Sequence, residues 1–220
     1  MARKSFPLFD FIQRKRHSGG FGVHSPFAFD LITNTIRDDH QFYAFADLKS
    51  KAGKNGLNYT ASDDSFNRLV FRLIQRFRPE NVLEIHSGKG VGTLFILAPD
   101  KHTRCTCIET NETDCSAAET LIGDPDIDRV AFAGEEELQS AKKYDAICLH
   151  LSETDNITID QLFSKSHEDT FWVIDGRKSR NAKQFWKNIV NDERTRFTFD
   201  MRHSGIVFLK SSYYKLNFLI

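Results

Sequence analysis

Asn81–Ile96 reads NVLEIHSGKGVGTLFI. A short apolar strand ends on Glu84, a loop carries Gly88, Gly90 and Gly92, and apolar residues at helical spacing follow. An α/β protein holds a nucleotide-like cofactor in this way, at the carboxyl end of its first strand. The glycines permit a tight turn and a close approach of backbone to ligand. The dinucleotide fingerprint G-x-G-x-x-G does not fit. Begun at Gly88 it needs a glycine where Thr93 stands, and begun two residues earlier it meets His86. No G-x-x-x-x-G-K-[ST] run is present, which removes the P-loop reading.

Outward from this stretch the apolar pattern is regular. Residues 63–77 suit a helix with Phe66, Leu69, Val70, Leu73, Ile74 and Phe77 inward, and Pro79 follows its end. Strands are predicted at 81–85, 104–109, 129–133, 144–149 and 170–175, and helices at 91–98, 112–122, 157–164 and 179–190. Strands separated by helix-length segments imply crossover connections and a mainly parallel sheet. A last pair, 194–200 and 205–210, is joined by only Met201–Ser204, which predicts an antiparallel hairpin.

The first 61 residues read differently, as a helical extension packed on an α/β domain spanning 62–220. FPLFDFIQRKRH is a short amphipathic helix with Phe6, Phe9 and Ile12 on one face, ended by the glycines of SGGFG. Ser25 is placed to cap a second helix that starts at Pro26, with Phe27, Leu31 and Ile36 packing inward. Lys49–Asn58, KSKAGKNGLN, reads as a loop from its lysines, glycines and asparagines. The aromatics Phe21, Phe27, Phe29, Phe42 and Tyr43 either shield a pocket at the carboxyl end of the sheet or make ordinary core contacts. His24 is likewise a pocket residue or a packed residue at a helix start.

Length and composition bound the rest. A chain of 220 residues, 40% apolar and 27% charged, suits one sizeable soluble core. No run approaches 18 consecutive apolar residues, so no membrane span is expected. The start lacks the apolar stretch of a signal peptide, and Cys105, Cys107, Cys115 and Cys148 read as buried free thiols, so a cytoplasmic location is expected. Net charge is zero, yet residues 111–170 carry four basic against fifteen acidic side chains. An acidic middle gives little support to a nucleic-acid partner.

Two acids extend the glycine loop into a site. Glu109 ends the strand TRCTCIE, beside the first strand in a doubly wound sheet, where its carboxylate can accept both ribose hydroxyls of an adenosine-type ligand. Glu135 follows Gly134 at the end of the next strand, within reach of an adenine amino group. With Glu136 and Glu137 it also reads as a solvated acidic run.

The arrangement Glu84-Ile-His-Ser-Gly88-Lys-Gly90-Val-Gly92-Thr93 resembles motif I of the class I S-adenosylmethionine-dependent methyltransferases. Glu109 corresponds to the acid on their second strand and Gly134-Glu135 to their adenine-side motif. GFGVHSPFAFDLIT and the strand end VID175-G-R-K178-S179 resemble a bacterial subgroup of small-molecule or O-methyltransferases. The resemblance covers about residues 62–210. It implies a Rossmann-like seven-stranded sheet of order 3-2-1-4-5-7-6 with a C-terminal hairpin, S-adenosyl-L-methionine as cofactor and a small-molecule methyl acceptor, with a homodimer as an option. Glu84 would fix the loop by accepting backbone N–H groups and lend negative potential near the sulfonium.

Two histidines depart from that pattern. His86 stands where the family has its first motif-I glycine. Its imidazole either crowds the cofactor's amino-acid end or hydrogen-bonds the cofactor carboxylate. His150 stands where the family often has an aspartate, which leaves the acid cluster of metal-dependent relatives incomplete, so no essential metal is expected. His150 and Asp175, at the carboxyl ends of adjacent strands, form a candidate base and orienting acid. Lys178 and Ser179 follow, and Ser179 is placed to cap the next helix.

Overall fold

The computed structural model describes residues 22–58, 60–151, 156–176 and 179–220. The helix expected within residues 6–17, and Phe21 and Lys178, lie outside them.

Eight strands form one sheet: β1 (Asn81–Ile85), β2 (Arg104–Ile108), β3 (Val130–Ala133), β4 (Tyr144–His150), β5 (Ser166–Asp175), β6 (Phe197–Asp200), β7 (Gly205–Phe208) and β8 (Leu216–Leu219). Their order is β3-β2-β1-β4-β5-β7-β6-β8. The first five run parallel, and β7 is antiparallel to both β5 and β6. The predicted order is therefore extended by one strand, because β8 adds to the far edge parallel to β6. β6 is thereby paired on both sides.

Helices cover both faces because every crossover must bury an apolar stripe. On one face lie α1 (Pro26–Leu31, continued by a wider π turn, Ile32–Ile36), α3 (Ala61–Phe77), α4 (Val91–Leu97) and α5 (Glu112–Ile122). They pack on Val82, Cys105, Cys107, Ala146, Cys148, Phe171 and Val173. On the other, α6 (Ile159–Ser164) and α7 (Arg180–Asn191) cover Leu83, Ile85, Ile147, Leu149, Trp172 and Ile174. The alternation along each strand is the period of two that separates the faces.

The helix starts follow their capping residues. Ser25 Oγ accepts from Ala28 N with Pro26 in the first turn, and Ser179 Oγ accepts from Ala182 N at 3.0 Å. Thr60 and Asp63 bond reciprocally as a capping box for α3. The loop expected at 49–58 is instead mostly helical: α2 spans Tyr43–Lys54 and buries Phe45 and Ala52. Phe45 packs edge-on to Phe71 and Phe42 in a small aromatic cluster, so burial outweighs the loop-like composition. Ala28, Leu31, Ile32 and Ile36 share one core with the sheet, so the extension is continuous with the domain in its packing. Phe27 stacks on Tyr213 and Phe197, a core contact.

Candidate active site

The carboxyl ends of β1, β2, β4 and β5 lie side by side, with Ile85 opposite Ile108 and Leu149, and His150 opposite Asp175. This edge collects the predicted site residues because loops leaving parallel strands meet there.

Glu84 points from β1 into the face covered by α4 and is fully buried. Its Oε2 accepts from Thr93 Oγ1 at 2.6 Å and lies 3.7 Å from Cys107 Sγ and 4.0 Å from Cys105 Sγ. Its Oε1 meets His150 Nε2 at 3.3 Å. A hydroxyl, thiols and an imidazole therefore satisfy the carboxylate, where backbone N–H groups were expected. The reason is direction: a strand residue on this face looks under the loop at the helix and not along the loop. Burial pushes the Cys148 thiol well above its ordinary range, and the hydrogen bond with Cys107, ahead of burial, does the same for Cys105. The Cys105 thiol thus serves Glu84 as a protonated donor. Glu84, Cys105 and Cys107 form one of two groupings of metal-ligating type among the described residues.

The loop itself is clasped by Glu109. Gly88 N donates to its Oε2 at 2.9 Å, and Thr110 N and Asn111 N donate to its Oε1 at 2.9 and 3.0 Å. One carboxylate thereby ties the glycine turn after β1 to the start of α5.

The three loop glycines have different reasons. Gly88 has φ +54°, and a Cβ built there meets nothing within 4 Å, so its outer side is open. A Cβ at Gly90 would lie 2.7 Å from Ala118 Cβ, so this glycine admits α5. A Cβ at Gly92 would lie 2.3 Å from Glu84 Oε1 and 3.4 Å from His150 Nε2. Gly90 and Gly92 serve packing, and Gly88 faces free space.

His86 adopts φ +59°, the left-handed region that favours glycine. Its ring turns toward β4, where Nδ1 donates to His150 O at 3.0 Å. The Nδ1–H that a cofactor carboxylate would need is thus already engaged within the protein.

His150 sits edge-on to Phe66, ring centroids 5.2 Å apart, with its side chain 29% exposed. Burial acts against its charged form, but the hydrogen bond and charge of Glu84, with Asp175 and Asp63 adding, outweigh it and raise its pKa. Asp175 is half-buried across the register, and among the described residues the hydrogen-bonded acid of His150 is Glu84. Sequence reading missed that pairing, since Glu84 and His150 are 66 residues apart.

Glu135 is exposed at the start of a 3₁₀ turn, Glu135–Gln139. Its neighbours are engaged locally, Glu136 on Gly134 N and Glu137 on Tyr144 Oη. Ser87, inside the glycine loop, has a buried Oγ with no hydrogen-bond partner among the described residues.

Beside this edge a cleft of about 340 Å³ is lined by Ile36, Arg37, Phe66, Arg72, Asp175 and His203, among others. A larger one, about 450 Å³, opens at the opposite end of the strands around Phe77, Asp145 and His167. It is remote from the loop. No helix among the described residues is long and apolar enough to cross a membrane.

No model of a known protein family matches the chain, and no curated protein sequence matches it. Solved structures do. An O-methyltransferase from Bacillus cereus in complex with SAH superposes over 77% of this chain and 92% of its own, with TM-score 0.59 and 16% identity. A SAH-bound methyltransferase of Podospora anserina matches over 96% of this chain and all of its own, with TM-score 0.63 and 10% identity. The O-methyltransferase TomG of Streptomyces achromogenes, in complex with SAM, matches over 78% and 92%, with TM-score 0.58 and 11% identity. The chain has the Rossmann-like fold of these class I methyltransferases.

Proposed function

We propose that this chain is a methyltransferase that uses S-adenosyl-L-methionine to methylate a small molecule at oxygen. The observation that carries the reading is the glycine loop held by Glu109 at the carboxyl end of β1, with open space outside Gly88, in a fold shared with SAH-bound structures. The orphaned Ser87 hydroxyl in the same loop suits a polar ligand there.

When bound, the cofactor supplies a methyl group on a sulfonium, an electrophile that needs alignment more than activation. Gly88 and Ser87 would hold its amino-acid end, with His86 turned to the end of β4 beside them. Glu109 would meet the ribose through the one lone pair its three amides leave, and Glu135 would meet the adenine edge. Glu84 and the backbone at Gly90 and Gly92 keep the loop in place. His150 would take the acceptor's hydroxyl proton at Nδ1 while its Nε2–H stays on Glu84, the part first assigned to Asp175. Asp175 would face the acceptor from β5.

The reading carries with it a cytoplasmic, metal-independent enzyme with an extension over 1–61 and a catalytic domain over 62–220. Its partner is a small methyl acceptor, and neither nucleic acid nor membrane. A homodimer is compatible with it.

Calorimetric titration with S-adenosylmethionine, S-adenosylhomocysteine and NAD tests the proposal. Micromolar binding of the first two and none of NAD is the expected result. Absence of binding at millimolar ligand would favour the second reading, a methyltransferase-like protein with a structural or interaction role. The specific observation behind that reading is Glu109, whose carboxylate already holds three backbone amides.

A further inference from the structure

The cleft beside Asp175 has a definite chemistry. Arg72 projects from α3 and is anchored by two carbonyls, its Nε donating to Thr35 O at 2.7 Å and its Nη2 to Ile36 O at 3.3 Å. Those carbonyls end the π turn, so the turn holds the guanidinium in a fixed orientation. Two of its five N–H donors are thereby used, and the other three make no hydrogen bond to the protein among the described residues. The guanidinium is half-buried; burial lowers its pKa while the charge of Asp38 acts the other way, and an arginine stays charged. Arg37 lines the same cleft, so its lining side chains include two guanidinium groups and one carboxylate, Asp175. Phe66, Leu69 and Ile36 supply an apolar wall, and the His150 ring lies edge-on to Phe66.

A planar guanidinium with fixed orientation and spare donors is suited to a carboxylate, which it grips with two parallel bonds. Asp175 in the same cleft suits a hydroxyl. We propose that the methyl acceptor is a small hydroxy acid, its carboxylate held by Arg72, its apolar body on Phe66 and Leu69, and its hydroxyl directed toward Asp175 and His150. This rests on the methyltransferase reading above. The volume, about 340 Å³, fits a ligand the size of a single substituted ring.

The test uses 4-hydroxybenzoate and its neutral isostere 4-hydroxybenzamide, titrated by NMR into the full chain with and without S-adenosylhomocysteine. The acid is expected to bind at least tenfold more tightly than the amide in the wild type, and the preference is expected to vanish in Arg72→Gln. An Arg72→Lys variant should regain part of it, since charge returns without the fork. S-adenosylhomocysteine affinity of Arg72→Gln should equal that of wild type, which shows that the variant folds. Equal binding of acid and amide, a preference that survives Arg72→Gln, or no binding of the acid to cofactor-loaded protein would overturn the proposal and leave the cofactor reading standing. Failure of S-adenosylhomocysteine to bind the wild type would overturn that reading instead, and the acid's binding to the ligand-free chain would still report on Arg72.

Discussion

His150 Nε2 lies 3.3 Å from Glu84 Oε1, so the residue that ends β4 is held by an acid buried beneath the neighbouring glycine loop. The contact raises the histidine's pKa above its ordinary 6.5 despite burial. A raised folded-state pKa adds stability that is fully present below the unfolded value and lost as pH rises through the folded one. The imidazole NMR titration of His150 should therefore have a midpoint above 6.5, and Glu84→Gln should lower it. A midpoint unmoved by Glu84→Gln would remove Glu84 as the cause.

Glu109→Ala should weaken the fold as well as the site. Three backbone amides lose a charged acceptor, and for a half-exposed carboxylate a loss of about 1–2 kcal/mol is expected. Affinity for S-adenosylhomocysteine should fall at least tenfold. Denaturant melts of the ligand-free variant check the first half and calorimetry the second. An unchanged melt would mean that water replaces the carboxylate at no cost.

His86→Gly sets two terms against each other. Glycine relieves the left-handed backbone, a gain of roughly 1 kcal/mol, and forfeits the bond from Nδ1 to His150 O, a loss of roughly 1 kcal/mol. Stability should stay within about 1 kcal/mol of wild type, and cofactor affinity should hold or improve. A tenfold fall in affinity would make the imidazole a ligand contact.

The glycines should rank by what their missing Cβ would strike. Gly90→Ala meets Ala118 on the rigid α5 backbone at φ +80°, and Gly92→Ala meets the Glu84 carboxylate, so each should cost about 1–3 kcal/mol. Gly88→Ala meets nothing and carries only the cost of its positive φ, about 1 kcal/mol. Equal melting temperatures for the three would contradict this packing. Gly92→Ala should also disturb the His150 titration, since its Cβ would press on both partners.

The parallel strands were legible because each carries a short apolar run bounded by turn residues, buried in all but the edge strand β3, and the caps at Ser25 and Ser179 because capping is local chemistry. α2 was not, since its lysines and Gly53 read as a loop while the inward Phe45 and Ala52 matter only once Phe71 and Phe95 are beside them. β8 escaped because only Phe218 of its four residues is buried, so no inward face shows in its sequence. Within the site, the residue types at the strand ends were readable. Their partners were not. Glu84 with His150, and Arg72 with Thr35 and Ile36, are joined across long stretches of chain by the fold alone.

The eighth strand also ties a sheet edge to the cleft. Ile220 N donates to Asp200 O at 2.8 Å, and Ile220 forms part of the wall of the Arg72 cleft. Anything that peels β8 from β6 would bare a row of backbone donors and acceptors and open one wall of the cleft in the same event.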